Sequence, residues 1–265
     1  MPYANANGIR MYYEQEGEGP DLVFVCGLGA DHRCWEPQLA AFRGRFRITV
    51  YDNRGAGRSD APDEPYSTRQ MADDAAALFD AIGVSRAHVV GTSMGGMIAQ
   101  ELASRHPSKV DRLVLACSRI KAGAVRQLMA PVTRFLWNHD AELDRLQRIL
   151  LMMPWAMTAS FTSDDDKVLQ ALEGAKADPS PMKVYAYMRQ HEASVEHDAT
   201  ATVGQITATT LVLVGAEDIL TPVWASKALA AAIPGAELRV LPRGGHGFFM
   251  EYAADVNAAL VEFLG

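Results

Sequence analysis

Ser93 lies in a short stretch, residues 89–96, whose composition suits a nucleophile. An apolar run ends at the stretch, Gly91 and Gly95 stand two residues to either side of the serine, and a helical pattern begins at Met94. A serine on such a sharp strand-to-helix turn has a strained backbone and projects its hydroxyl. The two glycines leave the room that a Cβ would occupy. The alternative is a glycine-rich turn with an incidental serine, so a base, an acid and oxyanion donors must accompany the motif.

A serine hydroxyl is a weak nucleophile at neutral pH and needs a general base. His246 is the candidate, because it follows the last predicted strand and stands between two glycines, so its ring can turn toward Ser93. His88 lies inside the strand before Ser93 and His106 ends a helix before a proline, so both are predicted to be structural. Surface or pocket positions are predicted for three further histidines, His139, His191 and His197.

A histidine base needs a carboxylate that sets its tautomer and stabilises its charged form. The apolar run 211–214 is followed by two acidic residues, Glu217 and Asp218. Asp218 is favoured because its spacing from the preceding glycine puts it just before a new helix, and Glu217 remains the alternative. Ser93, Asp218 and His246 then follow one another in the chain order nucleophile, acid, histidine.

Acyl transfer also needs backbone N–H groups that point at the oxyanion of the intermediate. The residue after the nucleophile, Met94, supplies one such donor. The second donor is expected in the loop after the apolar run 22–26, where Leu28 stands between Gly27 and Gly29. A plain turn at the exit of a strand is the alternative interpretation of that loop.

Apolar, strand-like runs alternate with helical patterns through most of the chain. The predicted strands are 3–6, 9–15, 22–26, 46–51, 87–90, 110–117, 210–214 and 237–241. This alternation predicts an α/β fold with a mostly parallel, eight-stranded sheet covered by helices on both faces. Between about 120 and 203 the alternation stops and helical patterns dominate. We therefore expect residues 1–119 and 204–265 to form the core, with 120–203 as a helical cap inserted after the sixth strand.

Composition limits the classes of partner. The 265 residues carry a net charge of -7 and no basic run, which argues against nucleic acid or an anionic membrane as the partner. Three cysteines provide no disulfide framework, and no Cys/His cluster suggests a metal. The first residues lack a signal-peptide pattern and no apolar stretch could cross a bilayer, so a cytoplasmic protein without metal or cofactor is expected.

Other polar and aromatic residues are candidates for substrate contacts. His32 lies in the loop that carries Leu28, and the methionines and aromatic side chains of the cap, among them Met129 and Trp155, are expected to line a mostly apolar pocket. Arginines of the same segment are candidates for a substrate carboxylate or for the helix surface: Arg126, Arg134, Arg145 and Arg189. Asp52 and Arg54 are predicted to form a buried ion pair that shapes their loop.

These motifs together resemble the α/β-hydrolase superfamily over essentially the whole chain outside the cap. The resemblance is carried by the Gly27-Leu28-Gly29 loop, the turn at 52–59, the serine turn, Asp218 and His246. The N-terminal half is most similar to 3-oxoadipate enol-lactonases, although the cap carries no signature of a subgroup. Cys26 stands where many members have a histidine, and it is interpreted as a small buried side chain.

The resemblance implies a serine hydrolase, an esterase or lactonase, that acts on a small-molecule ester or lactone through an acyl-enzyme. Two alternatives remain open. The same three residues serve in C–C bond hydrolases and perhydrolases, and a ligand-binding, receptor-like protein can use the same fold. The sequence leaves the acyl and alcohol groups undefined, and it leaves open whether the protein forms a homodimer.

Overall fold

A computed structural model describes residues 2–138 and 143–265 of the chain. Its centre is an eight-stranded sheet. The strands are β1 (Tyr3–Ala6), β2 (Ile9–Glu16), β3 (Asp21–Val25), β4 (Arg47–Tyr51), β5 (Ala87–Thr92), β6 (Val110–Ala116), β7 (Thr209–Gly215) and β8 (Glu237–Leu241). They lie side by side in the order β1-β2-β4-β3-β5-β6-β7-β8. The predicted eight strands are therefore all confirmed, with bounds that shift by at most two residues.

The sheet is antiparallel at one edge and parallel elsewhere. β1 and β2 form a hairpin that Asn7 and Gly8 turn with positive φ angles of 47° and 81°, and β2 pairs antiparallel with β4. From β4 across to β8 every neighbouring pair is parallel. The carboxyl ends of parallel strands lie on the same side of a sheet, so the loops that follow β3, β5, β7 and β8 lie close together there.

Helices connect the parallel strands. They are α1 (Glu36–Phe42), α2 (Thr68–Ala81), α3 (Met94–Arg105), α4 (Ala124–Asn138), α5 (Arg145–Ala156), α6 (Ala159–Thr162), α7 (Asp165–Lys176), α8 (Val184–Glu196), α9 (Val223–Ala232), α10 (Phe248–Glu251) and α11 (Ala253–Leu264). The helices α4 to α8 all lie between β6 and β7 in the chain, as predicted for an insertion after the sixth strand. Within 2–138 and 143–265, none of the helices has the length and apolar character that a bilayer crossing needs.

The central strands are mostly apolar because both faces of the sheet are covered. In β3, Leu22 and Phe24 belong to the cluster that contains α1 and α11 residues such as Phe42. Val23 and Val25 point the other way, into the cluster with α2 and α3. Successive side chains of a strand alternate between the faces, so one run of apolar residues serves two hydrophobic layers.

The sequence predicts a helix over 141–152, and Thr221-Pro222 predicts the N-cap and first residue of another helix. The structure displaces both helix starts. The helix predicted from residue 141 begins at Arg145, because Asp144 accepts the N–H of Gln147 and the Gln147 side chain accepts the N–H of Asp144. Residues 139–142 lie outside the described part of the chain. α9 begins at Val223 and not at Pro222. The division into a core and a cap at residues 119 and 204 remains a prediction.

Two histidines of the segment between β6 and β7 are buried, which corrects the surface or pocket positions predicted for them. His191 is 1% exposed and His197 is 4% exposed, and the Nδ1 atom of His197 lies 2.9 Å from the hydroxyl of Thr68 at the start of α2. Burial lowers the pKa of each ring to about 4, and the charge of Arg119 contributes in both cases. His139 lies outside the described residues.

These buried rings predict a loss of stability in mild acid. Between pH 7.5 and 5.5 the unfolded chain protonates both histidines near their ordinary pKa, whereas the folded chain keeps them neutral. Folding therefore weakens as the pH falls, by about 1 kcal/mol for each ring. In urea unfolding at the two pH values, His197→Asn should lose less stability than the wild type. Thr68→Val, which keeps His197, should lose stability on acidification as the wild type does, and an equal loss in His197→Asn would contradict this origin.

Candidate active site

Ser93 occupies a strained position between β5 and α3. Its φ and ψ angles are 54° and −118°, a conformation that L residues with a side chain rarely adopt. Its N–H donates to the carbonyl of Ala116 in β6 over 2.9 Å, which ties the turn to the neighbouring strand. The helix α3 starts at the next residue, so the hydroxyl projects at the edge where the parallel strands end.

Close backbone contacts around Ser93 require glycine. A Cβ on Gly91 would lie 2.4 Å from the carbonyl oxygen of Gly95, and one on Gly95 would lie 2.1 Å from that of Val25. A Cβ on Gly96 would lie 2.6 Å from the Cβ of Ser118. The turn is therefore pressed against β3 and the end of β6.

Ser93, His246 and Asp218 form a continuous chain of hydrogen bonds. The Oγ atom of Ser93 lies 2.8 Å from Nε2 of His246, and Nδ1 of the same ring lies 2.9 Å from Oδ2 of Asp218. The three residues follow β5, β8 and β7, so the sheet alone brings together side chains that are as far as 153 positions apart in sequence. A neutral imidazole in this arrangement donates from Nδ1 to the carboxylate and accepts at Nε2 from the serine.

The loop after β7 holds Asp218 in its ionised form. Oδ1 accepts the N–H groups of Leu220 and Thr221, each over 2.8 Å, and Oδ2 lies 2.7 Å from the Thr221 hydroxyl. Burial acts to raise the pKa of Asp218, but His246 and the Thr221 donors outweigh burial and keep that pKa below its usual value. The sequence predicts Thr221 as the N-cap of a helix, but its hydroxyl contacts Asp218 instead.

Glu217, the alternative acid, has a different position. Its Oε2 atom accepts the N–H of Gly244 over 2.9 Å, and its own N–H donates to the carbonyl of Gly244 over 3.0 Å. Glu217 thus fastens the loop that carries His246, while Asp218 contacts the ring itself.

Two backbone N–H groups are free beside Ser93. The loop after β3 approaches the serine so closely that a Cβ on Gly27 would lie 3.3 Å from the Cβ of Ser93. Leu28 follows in this loop, and Met94 opens α3. In the described part of the chain, neither the N–H of Leu28 nor that of Met94 has a hydrogen-bond partner. Free donors of this kind can stabilise a developing oxyanion.

Gln190 on α8 fixes the loop that contains Leu28. Its side chain is fully buried, its Oε1 atom accepts the N–H of Gly29 over 3.0 Å, and its amide group donates to the carbonyl of Arg54 over 2.8 Å. One side chain therefore connects the segment between β6 and β7 to two loops at the edge of the sheet.

A cavity of about 250 Å³ opens in front of Ser93 and His246. Leu28 and Met94 also line it. Much of its wall is apolar, formed by Met97, Met152, Ala156, Leu220, Phe249 and Met250. The helices after β6 thus close over the serine, as is usual for small-molecule sites in α/β folds.

A family model of the alpha/beta hydrolase fold matches residues 20–253. The chain belongs to the α/β-hydrolase family. Among individual relatives, a protein of Caulobacter sp. (strain K31) with the provisional name carbamate hydrolase RutD is 31% identical over 262 residues, which cover 96% of this chain and 95% of the relative.

Solved structures of other α/β hydrolases have the same architecture. The enol-lactonase from Burkholderia xenovorans LB400 is 28% identical, with a TM-score of 0.85 and 99% of each chain covered. Est816, described as an N-acyl homoserine lactone degrading enzyme, is 30% identical, with a TM-score of 0.83 over 99% of this chain and 100% of its own. The similarity to the enol-lactonase agrees with the resemblance inferred from the sequence.

The substrate contacts predicted for three residues stay predictions, and the structure places these residues outside the lining of this cavity. His32, Met129 and Trp155 are not among the described residues that line the cavity. His32 is buried against Asp52, whose carboxylate lies 2.7 Å from its ring. Met129 and Trp155 are 40% and 49% exposed, while other residues of α4 and α5 face the cavity.

The predicted ion pair between Asp52 and Arg54 is wrong. Asp52 accepts the N–H of Arg58 over 2.9 Å and pairs with His32, so it closes its own turn. Arg54 forms no ion pair with Asp52. It forms a bidentate ion pair with Asp74 of α2, over 2.9 and 2.8 Å, and a further ion pair with Glu64. The partners of both residues come from elements that packing brings close, and spacing along the chain gives no sign of them.

Several residues around the site carry no sequence motif. Gln190, Thr221 and Arg119 are ordinary polar residues of a helix or loop, and only their burial at the edge of the sheet reveals them. Arg126, by contrast, was among the arginines of the predicted cap, and the structure turns it into the cavity.

The contacts of Gly95 predict a strong effect of one added methyl group. Gly95→Ala should lower the free energy of unfolding by about 3 kcal/mol, because the atoms it meets belong to the β3 backbone and cannot move aside. Gly174→Ala is the matched control, since Gly174 lies inside α7 with no atom within 4 Å of the added Cβ. It should stabilise the protein by about 0.5–1 kcal/mol. Urea unfolding measures both, and similar values for the two variants would contradict the packing argument.

Proposed function

We propose that this α/β hydrolase is a serine hydrolase that cleaves a carboxylic ester or a lactone through an acyl-enzyme intermediate. The observation that supports the proposal most directly is the hydrogen-bonded chain from Ser93 through His246 to Asp218 at a cavity. Its spacings of 2.8 and 2.9 Å are those at which a proton passes between a nucleophile and its base.

In the first half of the reaction, the Ser93 oxygen attacks the carbonyl carbon while its proton passes to Nε2 of His246. Asp218, ionised and held by the Thr221 loop, stabilises the imidazolium that forms. The negative charge moves to the carbonyl oxygen, where the N–H groups of Leu28 and Met94 receive it. The C–O bond then breaks, and the leaving alkoxide takes the proton from His246.

In the second half, water takes the place of the alcohol. His246 removes a proton from this water, and the hydroxide attacks the acyl carbon with the same two N–H groups at the oxyanion. Ser93 leaves as the alkoxide and regains its proton from His246. An acid is released, and the three residues return to their starting protonation states.

The substrate class is supported by the chemistry that the relatives share. Enol-lactones, acyl homoserine lactones and carbamates, the classes in their names, all contain a carbonyl bonded to a heteroatom that can leave. At about 250 Å³, the cavity lies slightly below the usual range for drug-sized ligands, so a small ester or lactone fits it best.

Removal of the nucleophile tests the mechanism. Ser93→Ala should lower kcat for p-nitrophenyl butyrate by about 10⁴-fold or more. A fluorophosphonate probe should label the wild type at Ser93, as identified by peptide mass spectrometry, and should not label the variant. Ser104→Ala, which changes a serine in the helix that follows Ser93, should keep both the hydrolysis of the ester and the labelling by the probe.

Other outcomes distinguish the alternative functions. Full turnover by Ser93→Ala would refute the assignment of the nucleophile. If the fluorophosphonate does not label Ser93, and a ligand binds tightly without turnover, the chain is a binding protein. A panel of esters, lactones and β-diketones assigns the bond that is cleaved, and a clear preference for β-diketones would favour C–C hydrolysis.

Gln190 should act as a positioning residue. Gln190→Leu removes the acceptor that holds Gly29, so the neighbouring N–H of Leu28 loses its aim at the oxyanion. We expect kcat to fall by about 10- to 100-fold with a much smaller change in KM. Gln205→Leu, on an exposed turn, is the control and should change neither constant. A pure loss of folded protein would lower the labelled fraction and kcat together, which active-site titration with the fluorophosphonate detects.

A further inference from the structure

Two arginine side chains line the cavity beside Ser93 and His246. Arg119 follows β6 and is only 9% exposed, and Arg126 lies at the start of α4. Arg119 donates one hydrogen bond, to the carbonyl of Ser194 over 3.0 Å. The Nε atoms of both arginines are buried and have no hydrogen-bond partner within the described residues.

The surroundings do not neutralise these two guanidinium groups. Of the described residues that line the cavity, none is acidic. The carboxylate whose charge reaches Arg119 is that of Asp218, and its oxygens are already engaged by His246 and the Thr221 loop. Arg126 has no ion pair with any carboxylate in 2–138 or 143–265. A buried cation without a partner is costly, so this arrangement suits a site completed by an anion.

The electrostatics of the neighbouring groups agree with a positive cavity. Burial, together with the charge of Arg126, lowers the pKa of Arg119 to about 10, and burial also lowers the pKa of Arg126. A guanidinium group keeps its proton at neutral pH, so both side chains are cationic. The charges of both arginines also contribute to keeping His191 neutral.

We propose that Arg119 and Arg126 bind a carboxylate of the substrate, so that the preferred substrates are esters or lactones that carry a second, ionised acid group. This inference rests on the proposed function, because it requires the ester carbonyl to lie at Ser93. The planar guanidinium donors match the geometry of a carboxylate, and the small cavity favours a compact anion. The uncharged wall of methionines and Phe249 then accommodates the chain between the two groups.

Matched ester pairs test the proposal. The monomethyl and dimethyl esters of succinate, glutarate and adipate differ at each length only in one ionised carboxylate. For the length that fits best, the wild type should show a kcat/KM about 10-fold higher for the monomethyl ester, measured as initial proton release in a pH-stat. A wild type that prefers the dimethyl ester at all three lengths overturns the proposal.

Variants then assign the preference to the arginines. Arg126→Met should lower the ratio of monomethyl to dimethyl kcat/KM by about 10- to 100-fold, and Arg126→Lys should keep part of it. Arg134→Met is the matched control, because Arg134 lies on the same helix, is exposed and pairs with Glu192 over 3.1 Å. It should leave the ratio unchanged. An unchanged ratio in Arg126→Met overturns the assignment.

A binding measurement separates this proposal from the proposed function. Calorimetry on Ser93→Ala, which should not turn the esters over, should show that the best monomethyl ester binds about 10-fold tighter than its dimethyl partner and that adding Arg126→Met removes the difference. If the wild type hydrolyses no ester but this binding pattern holds, the anion site stands and the reaction is wrong. If esters are hydrolysed but the binding pattern is absent, the reaction stands and the anion site is wrong.

Discussion

The site depends on one constraint, the close approach of three backbone segments: the serine turn, the end of β3 and the loop that follows β3. The turn after β5 packs so tightly on β3 that the carbonyl oxygens of Val25 and Cys26 would lie 2.1 and 2.6 Å from a Cβ on Gly95. This contact has two consequences. It holds Ser93 in a backbone conformation that points its hydroxyl outward, and it brings the loop with Leu28 alongside. The Ser93 hydroxyl and two free N–H groups thus lie close together, because the tightly packed backbone leaves no room between them.

The charges around this turn fall into two groups. Most buried ions are paired within the protein, as Arg54 is with Asp74 and Asp52 with His32, and such pairs shape loops without offering anything to a ligand. Asp218 is likewise engaged, and its partner is the histidine that contacts Ser93. Arg119 and Arg126 differ from these residues, since both line the cavity and the Nε atom of each is buried without a hydrogen-bond partner in the described part of the chain. The presence or absence of a partner within the protein therefore distinguishes the charged groups with a structural role from those that can bind a substrate.

The sequence predicts the fold, and it predicts that Ser93, His246 and Asp218 lie together, because both predictions depend on short-range signals. A strand buried on both faces is rich in apolar residues, and a tight turn needs glycine. The positions of the strands along the chain and the turn at Ser93 can therefore be predicted from the sequence. The histidine and the acid follow strands, and parallel strands end at one edge. Their meeting is thus a consequence of topology, which the alternation of strands and helices already indicates.

The sequence by itself determined the α/β architecture, the serine turn and the order of the three hydrogen-bonded residues. Tertiary structure alone decided which side chains face the cavity: Met129 and Trp155 are exposed to solvent, while Arg119 and Arg126 line the cavity. The physical reason is that an amphipathic helix records in its sequence which residues are apolar, but not what each face packs against. The sequence around an arginine on such a helix is the same whether solvent, a carboxylate or an unfilled cavity surrounds the side chain. Only the packing of the folded chain distinguishes these surroundings.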